Sequence, residues 1–542
     1  MKISIAQINP ILGDFEYNLN LIKMNIKKAQ QESTDLLVFP ECSLFGYHPM
    51  DLLGRKSIVR EQINYIYKIE KIIPSNLCVI IGAITMNNNK CGKKYFNSAI
   101  VLRSRKPSKL FHKELLPAYD VFDEARHIEP GDLSKNIIKI NDKKALITIC
   151  EDIWGWTDSA GESYYSKNPL KKIKPKQVDL IINLSGSPFT LKKEKQRLRV
   201  TQETVKYFKA PMVYANLVGA QDEMIFDGSS LFLDKNGKII HKLNQFKEDF
   251  QSVVLTTEMK AVSKKVPSKK NNIEKLRGAL CLGIQDFATK TNLKSVHLGL
   301  SGGVDSALVA ALAVDALGPE AVTALALPSK FNSSQSLKFA KAQSKNMNIK
   351  LHQLDINHIY HSIIKEIESQ FGNIPFGLMH ENAQARVRGS LLMAYSNLNH
   401  SLLLNTSNKS ELTVGYSTLY GDLCGGLCPI GDLTKNLVYK MAQIYQEKYS
   451  WIPNGVITRP PSAELRPNQK DTDSLPSYDK LDPLVLSLIE NKTTKKTTEN
   501  TRILKMMMMS EFKRWQAPPI LKVSSHAFGR GRRFPIAHRA IY

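Results

Sequence analysis

The sequence has no apolar run long enough to cross a bilayer. Its most apolar stretch, ALVAALAVDALG at 307–318, is interrupted by Asp315 and falls short of the roughly 18 residues that a membrane-spanning helix needs. The first residues carry acidic side chains early and too short an apolar run for a signal peptide, so we expect none. These features predict a protein that neither spans a membrane nor has a membrane partner.

Cysteine is also scarce and irregularly placed. Seven cysteines in 542 residues, an odd number without regular spacing, do not suit a disulfide framework. Free thiols are typical of reducing compartments. The sequence therefore predicts a cytoplasmic protein.

Acidic residues are under-represented relative to basic ones. The chain has 75 Lys and Arg against 50 Asp and Glu, a formal net charge of +25. Such an excess can indicate a nucleic-acid partner. The basic residues are scattered through every segment, however, and neither interleaved aromatic and basic residues nor a zinc knuckle is evident. We therefore predict no nucleic-acid partner.

The chain does contain enough apolar sequence, 42%, for sizeable cores. Its 542 residues exceed the length of about 250 to 300 at which single cores stop growing, so we predict two domains. Val- and Ile-rich runs such as KISIAQI alternate with helical stretches, as in layered α/β domains, until a hairpin with a turn at Asn236 and Gly237. We predict a first domain at 1–258, a Lys-rich linker at 259–272 and a second α/β domain at 273–542.

The string GLSGGVDS, residues 299–306, lies between a strand pattern and a helix pattern in the second domain. Gly302 and Gly303 let the backbone approach phosphate oxygens, and the N-terminus of the following helix favours an anion. Ser301 and Ser306 add hydroxyl donors. The spacing and the lysine of GxxxxGK[ST], which holds phosphates for γ transfer, are missing. The string therefore predicts cleavage of ATP between its α and β phosphates.

This string resembles the loop of the ATP pyrophosphatase family, whose members attach AMP to a carboxylate or carbonyl oxygen. The loop alone leaves several enzymes open, among them asparagine and GMP synthetases and tRNA-modifying enzymes. The segments 381–389, 402–436 and 460–483 resemble NAD synthetases, and the chain from 511 resembles the tail of their glutamine-using branch. The resemblance implies a Rossmann-like domain with a parallel sheet, which adenylates deamido-NAD and lets ammonia displace AMP.

The same resemblance implies site residues in the second domain. It implies Mg²⁺ bound with ATP by Asp305 and Glu411, and no prosthetic group. Deamido-NAD is expected at Asn382, Glu411 and Lys522. The residues expected to bind ATP are Gly299, Leu300, Ser301, Gly302, Gly303, Val304, Asp305, Ser306, Thr406, Lys435 and Ser462.

Three polar residues, Glu41, Lys113 and Cys150, follow separate strand-like runs in the first domain. Together they predict thiolate attack on an amide, with a carboxylate moving the proton and an ammonium stabilising the oxyanion. Their motifs FPE, KELLP and Cys-Glu-Asp, with NLSGSPF at 183–189, resemble the nitrilase or carbon-nitrogen hydrolase superfamily. That resemblance implies an α-β-β-α sandwich and glutamine binding by Tyr119, Ser187 and Lys193.

Joined in one chain, the two domains predict an enzyme that takes ammonia from glutamine and amidates deamido-NAD, with AMP, pyrophosphate and glutamate as the other products. We expect only small-molecule substrates and a homo-oligomer. The alternative is an RNA-modifying enzyme with the same type of ATP loop, but it does not account for the first domain. A catalytically silent homologue is disfavoured because the triad and the loop carry competent residues.

Overall fold

A computed structural model describes residues 1–158, 160–256, 259–261, 271–492 and 497–539. The chain divides into two compact units, Met1–Lys270 and Asn271–Tyr542. Of the predicted linker, residues 262–270 lie outside the described residues, Met259–Ala261 form a strand, and Asn272 begins a helix. No helix in the described ranges has the length and apolar character needed to cross a membrane.

The described residues of the first unit form two β-sheets, a short ribbon and three long helices. The helices are α1 (Phe15–Gln31), α2 (Lys56–Glu70) and α3 (Lys193–Phe208). The strands are β1 (Lys2–Gln7), β2 (Leu36–Val38), β3 (Cys78–Met86), β4 (Tyr95–Arg103), β5 (Lys106–His112), β6 (Ile137–Ile140), β7 (Lys143–Ile149), β8 (Leu180–Ser185), β9 (Met212–Asn216), β10 (Val218–Gln221), β11 (Met224–Asp227), β12 (Leu231–Leu233), β13 (Ile239–Lys242), β14 (Asp249–Leu255) and β15 (Met259–Ala261).

The two sheets pack face to face. One has the strand order β15-β14-β1-β2-β3-β4-β5, the other has the order β13-β12-β9-β8-β7-β6, and β10 pairs with β11. A core with residues of both sheets, such as Ile5 and Ile147, lies between them. Separate cores join α1 and α2 to the first sheet and α3 to the second. The predicted α-β-β-α sandwich is therefore confirmed.

Strand β2 shows why both faces of the first sheet are apolar. Leu36 and Val38 belong to the core between the sheets, whereas Leu37 packs in the core beneath α1 and α2. Alternate residues of a strand point to opposite faces, so a strand buried on both sides is a continuous apolar run. The predicted hairpin is also present: β12 pairs antiparallel with β13 across a turn in which Gly237 has φ +80°.

The second unit is a parallel sheet surrounded by helices. Its strands are β16 (Val296–Gly299), β17 (Val322–Ala326), β18 (Lys350–Gln353) and β19 (Leu402–Leu403). Its helices are α4 (Asn272–Lys290), α5 (Val304–Leu317), α6 (Ser334–Asn346), α7 (Asn357–Phe371), α8 (Leu378–Asn399), α9 (Lys409–Val414), α10 (Lys435–Tyr449), α11 (Asn454–Thr458), α12 (Tyr478–Ile489), α13 (Thr498–Met509) and α14 (Glu511–Arg514).

The strand order is β18-β17-β16-β19, and each neighbouring pair is parallel. Helix α5 contains the most apolar stretch of the sequence, and its residues from Ser306 to Val314 are all buried. A helix that is apolar on every side is stable only in a protein interior or a membrane, and α5 packs against α4, α10 and the sheet. The predicted parallel α/β fold of the second unit is confirmed.

Candidate functional site

The three residues of the predicted triad lie together, buried, in the first unit. Glu41 follows β2, Lys113 directly follows β5, and Cys150 directly follows β7. The Nζ of Lys113 donates to Glu41 Oε1 at 2.8 Å, and both side chains are fully buried. Cys150 lies close enough for its thiol to interact electrostatically with both. The packing of the strands thus converts three distant motifs into one site.

Cys150 stands at a sharp change of backbone direction. It directly follows β7 and has φ +45°, a conformation that non-glycine residues adopt at a cost and that is frequent at functional sites. The thiol is buried, and burial raises its pKa well above the ordinary value, with the charge of Glu41 adding to the rise. The resting thiol is therefore protonated and needs a base to become a nucleophile.

Glu41 is suited to be that base. Its Oε1 accepts from Asn97 Nδ2 at 2.7 Å as well as from Lys113, and its Oε2 accepts from the Gly186 amide at 2.7 Å. Burial nevertheless raises the pKa of Glu41 above its ordinary value, because desolvation outweighs the attraction of Lys113. A fixed carboxylate with a raised pKa can take a proton from a thiol and return it.

A second carboxylate, Glu124, shares Lys113 and was missed by the sequence analysis. Its Oε1 accepts from Lys113 Nζ at 2.8 Å and from the Tyr47 hydroxyl at 2.7 Å. The pKa of Lys113 lies well above its ordinary value: burial alone would lower it, but Glu124 and Glu41 outweigh burial. Lys113 therefore stays charged. A single acid in a polar loop gives no sequence signal for this role.

The Cys-Glu-Asp triplet has a structural explanation for each acid. Asp152 Oδ1 accepts hydrogen bonds from the amides of Glu114 and Leu115, at 2.9 and 3.0 Å, and so ties the loop of Cys150 to the segment that carries Lys113. Glu151 accepts the hydroxyls of Tyr119 and Tyr165, at 2.9 and 2.8 Å. The triplet thus orders both the segment that carries Lys113 and the predicted substrate side of the site.

The residues predicted to bind glutamine come from three elements. Lys193 lies at the start of α3, with its Nζ 3.8 Å from the centre of the Trp154 ring and 5.8 Å from that of Tyr119. Burial lowers the pKa of Lys193. Ser187 follows β8, and Asn216 holds its backbone by accepting from its amide at 2.9 Å and donating to its carbonyl at 3.3 Å. Tyr119 and Lys193 lie close enough to Cys150 to interact electrostatically with its thiol, and Ser187 lies just beyond the end of β8.

In the second unit, GLSGGVDS forms the predicted strand–loop–helix. It ends β16, turns, and begins α5, with Gly303 as the residue before the helix. Gly302 has φ +81°, and a Cβ on it would lie 2.3 Å from the carbonyl oxygen of Ser336, so only glycine fits there. The Ser301 amide donates to Ser306 Oγ at 3.2 Å, which holds the loop closed. All eight residues line one cavity of about 320 Å³.

Other predicted residues extend the same cavity. Thr406, Glu411, Lys435 and Ser462 line it, although they come from separate segments of the sequence. Asn382 and Lys522 do not line it. Asn382 lies on α8 and accepts a hydrogen bond from Thr418 Oγ1 at 2.8 Å. Lys522 is buried, and burial lowers its pKa to about 8. Sequence reasoning missed Arg388, Arg459 and Glu464, which also line the cavity.

Two carboxylates and one ammonium meet beside the loop. Lys435 Nζ donates to Asp305 Oδ2 at 2.6 Å and to Glu411 Oε1 at 2.9 Å. Burial raises the pKa of Glu411 to about 7, an effect that Lys435 opposes and Asp305 increases. The described residues contain no cluster of three or more His, Cys, Asp or Glu arranged for a metal. Mg²⁺ commonly takes only one or two protein carboxylates besides substrate phosphates, so this pair fits it.

The fold and the two sites together define an amide hydrolase joined to a nucleotide-dependent synthetase. Residues 2–264 match the carbon-nitrogen hydrolase family, and residues 276–517 match the NAD synthase family. A glutamine-dependent NAD(+) synthetase from Synechocystis sp. is 39% identical, with 99% of this chain and 98% of the relative covered. One from Thermotoga maritima is 34% identical, with 99% of each covered.

A solved structure agrees with these relatives. The glutamine-dependent NAD+ synthetase of Acinetobacter baumannii, solved in complex with ADP, is 31% identical and superposes with a TM-score of 0.78 over 99% of this chain and 98% of that one. The chain belongs to the glutamine-dependent NAD(+) synthetase family. It is accordingly an enzyme, a carbon-nitrogen ligase of NAD biosynthesis.

Proposed function

We propose that this chain converts deamido-NAD to NAD, with ATP as the activating nucleotide and glutamine as the source of ammonia. The observation that carries the proposal is the presence of two complete sites in one chain. In the first unit, Cys150 is buried beside the Glu41–Lys113 pair. In the second, the glycine-rich loop lines a cavity together with Asp305, Glu411 and Lys435. The family of the chain supports the same reaction.

In the first unit, Glu41 takes the proton of Cys150 as the thiolate attacks the amide carbon of glutamine. Lys113, kept charged by Glu41 and Glu124, donates to the oxyanion. Glu41 then gives its proton to the departing ammonia, and water releases glutamate from the thioester. Tyr119, Ser187 and Lys193 hold the substrate, and the ammonium of Lys193 suits its carboxylate.

In the second unit, the carboxylate of deamido-NAD attacks the α phosphorus of ATP, pyrophosphate leaves, and ammonia then displaces AMP. The amides around Gly302 and Gly303 and the start of α5 hold the phosphates. Asp305 and Glu411 would hold Mg²⁺, which when bound neutralises charge on the departing pyrophosphate. Lys435, Thr406 and Ser462 contact ATP, whereas Asn382, Glu411 and Lys522 contact deamido-NAD.

The experiment that tests this uses glutamine labelled with ¹⁵N in its amide. Purified protein with deamido-NAD, MgATP and the labelled glutamine should place the label in the carboxamide of NAD and release one AMP per NAD. Unlabelled NAD, or ADP and orthophosphate in place of AMP and pyrophosphate, would refute the proposal.

We further propose a cytoplasmic homo-oligomer. All seven cysteines are free, which supports a reducing compartment. Large apolar side chains on and between α7 and α8 are exposed, among them Phe371 (78%), Leu378 (71%) and Leu398 (80%), and such exposure is typical of a surface that another chain covers. The molar mass measured by light scattering at micromolar protein concentration tests the oligomeric state, and the mass of a monomer would contradict the proposed homo-oligomer.

A further inference from the structure

The cavity of the second unit contains more cationic side chains than the predicted site uses. Within the described part of the chain, those lining it are Arg388, Lys435 and Arg459. Transfer of AMP from ATP leaves a pyrophosphate, and the negative charge that develops on it must be met by donors placed in advance. A cation can turn towards the pyrophosphate only if its present hydrogen bonds and ion pairs leave it room to move.

Lys435 and Arg388 are held in place by other groups. Lys435 is buried between two carboxylates at 2.6 and 2.9 Å, so it can contact bound ATP only from that fixed position. Arg388 donates from Nε to the carbonyl of Leu327 at 2.9 Å and from a terminal nitrogen to Asn332 Oδ1 at 2.9 Å. Those contacts fix the loop that follows β17.

Arg459 lies next to the phosphate loop and is less constrained. Its guanidinium donates to Ser336 Oγ at 2.6 Å and to Ser333 Oγ at 3.1 Å, at the N-terminus of α6. The carbonyl of Ser336 is the group that excludes a side chain at Gly302. The guanidinium is therefore separated from the backbone of the loop by a single serine. Its side chain is 30% exposed, against 2% for Lys435, so it has room to move.

The carboxylate that pairs with Arg459 does not depend on it. Glu464 accepts from Arg459, but also from Asn332 Nδ2 at 3.0 Å and from Ser336 Oγ at 2.8 and 2.9 Å. Burial works against ionisation of Glu464, yet these donors hold its pKa below the ordinary value. If Arg459 turned towards a phosphate, Glu464 would keep two neutral donors, the Asn332 amide and the Ser336 hydroxyl, so its charge would not be left without hydrogen bonds.

We propose that Arg459 is a catalytic residue that binds the leaving pyrophosphate of ATP. The bond between the α phosphorus and its bridging oxygen to the β phosphate breaks, the electron pair stays on that oxygen, and a carboxylate oxygen bonds the α phosphorus. Arg459 transfers no proton; its planar fork donates hydrogen bonds to the pyrophosphate oxygens as charge accumulates there. This inference rests on the proposed function.

The test uses the full-length enzyme with ammonia as nitrogen donor, so that the first unit does not affect the result. For Arg459→Gln we expect kcat to fall about 10²-fold, as for other lost transition-state donors, and the inhibition constant of added pyrophosphate to rise at least about tenfold. KM for ATP should change by less than about threefold, since the effect arises as the bond breaks. Arg459→Lys, which keeps the charge but not the planar fork, should have a kcat and a pyrophosphate inhibition constant between those of the wild type and Arg459→Gln.

The control is Arg466→Gln. Arg466 is in the same segment and pairs with Glu381 and Asp473 at 3.7 and 3.5 Å, but it is not among the cavity-lining residues. It should keep the wild-type inhibition by pyrophosphate. Unchanged kcat and pyrophosphate inhibition in Arg459→Gln, or in Arg459→Lys if the first variant does not fold, would overturn the inference. Release of ADP by the wild-type enzyme would instead overturn the proposed function, before any variant is made.

Discussion

Replacement of Lys113 by Met tests the charge balance of the first site. Lys113 lies 2.8 Å from both Glu41 and Glu124, with all three side chains buried. At an effective dielectric constant of about 20, each contact contributes about 6 kcal/mol of attraction. Without the ammonium, two like charges would remain in the interior, which is less favourable than protonating one of them.

Protonation limits the cost. Keeping a Glu protonated at pH 7, against an ordinary pKa of about 4.3, costs about 4 kcal/mol. Glu41 keeps its hydrogen bonds from Asn97 and from the Gly186 amide. One proton taken up by the Glu41–Glu124 pair is therefore sufficient to remove the repulsion between the two carboxylates. We therefore expect Lys113→Met to lower the unfolding free energy of the first unit by about 4 kcal/mol at pH 7.

The sign of the pH dependence follows from the raised pKa of the buried carboxyl. The folded variant holds a proton that the unfolded chain releases above about pH 4.3, so its stability falls by about 1.4 kcal/mol for each unit of rising pH. The deficit relative to wild type should thus be about 1 kcal/mol at pH 5 and about 4 kcal/mol at pH 7. Loss of Lys113 should also abolish glutamine-dependent NAD synthesis while synthesis from ammonia continues.

Urea unfolding of both proteins at pH 5, 6 and 7 measures this deficit. Lys172→Met is a matched control, because Lys172 also lies 2.8 Å from a carboxylate, that of Glu114, but is 53% exposed. An exposed pair should contribute no more than about 1 kcal/mol. A deficit that is the same at all three pH values, or no larger than that of the control, would refute the reasoning.

Three further variants test other parts of the two sites. Cys150→Ala should lose glutamine-dependent synthesis and keep synthesis from ammonia; loss of both would contradict the division of labour between the units. Asp305→Asn should abolish AMP formation at any Mg²⁺ concentration but leave basal glutaminase activity, and normal AMP formation would remove Asp305 from the proposed metal site. Asp432→Asn leaves buried Lys409 without a charged partner and keeps only one of the two oxygens that accept from Lys409 and from the Val523 and Ser524 amides. We expect a stability loss of about 3 kcal/mol and, through the displaced Lys522, a higher KM for deamido-NAD; unchanged melting and KM would contradict this.

The sequence by itself determined the helices, the strands and the reacting groups, because each depends on residues that are close together in the chain. Residues 299–306 specify a turn and a helix start through Gly302, which tolerates its φ of +81°, and through the apolar helix that follows. Glu41, Lys113 and Cys150 could be named because each follows a recognisable strand-like run. The alternation of apolar and helical runs predicted layered α/β domains, whereas the sandwich and the parallel sheet were implied by the resemblance to known families.

Only the tertiary structure decided which side chains surround those groups. Asn97 becomes a partner of Glu41 because β3, β4 and β5 pair in a particular register, and Glu124 reaches Lys113 from the segment that follows β5. Lys435 reaches Asp305 across 130 residues, and Arg459 reaches Ser336 across 123. A short window of sequence fixes backbone hydrogen bonding and burial pattern, but which distant side chains meet depends on strand order and layer packing, and these emerge only when the whole unit folds.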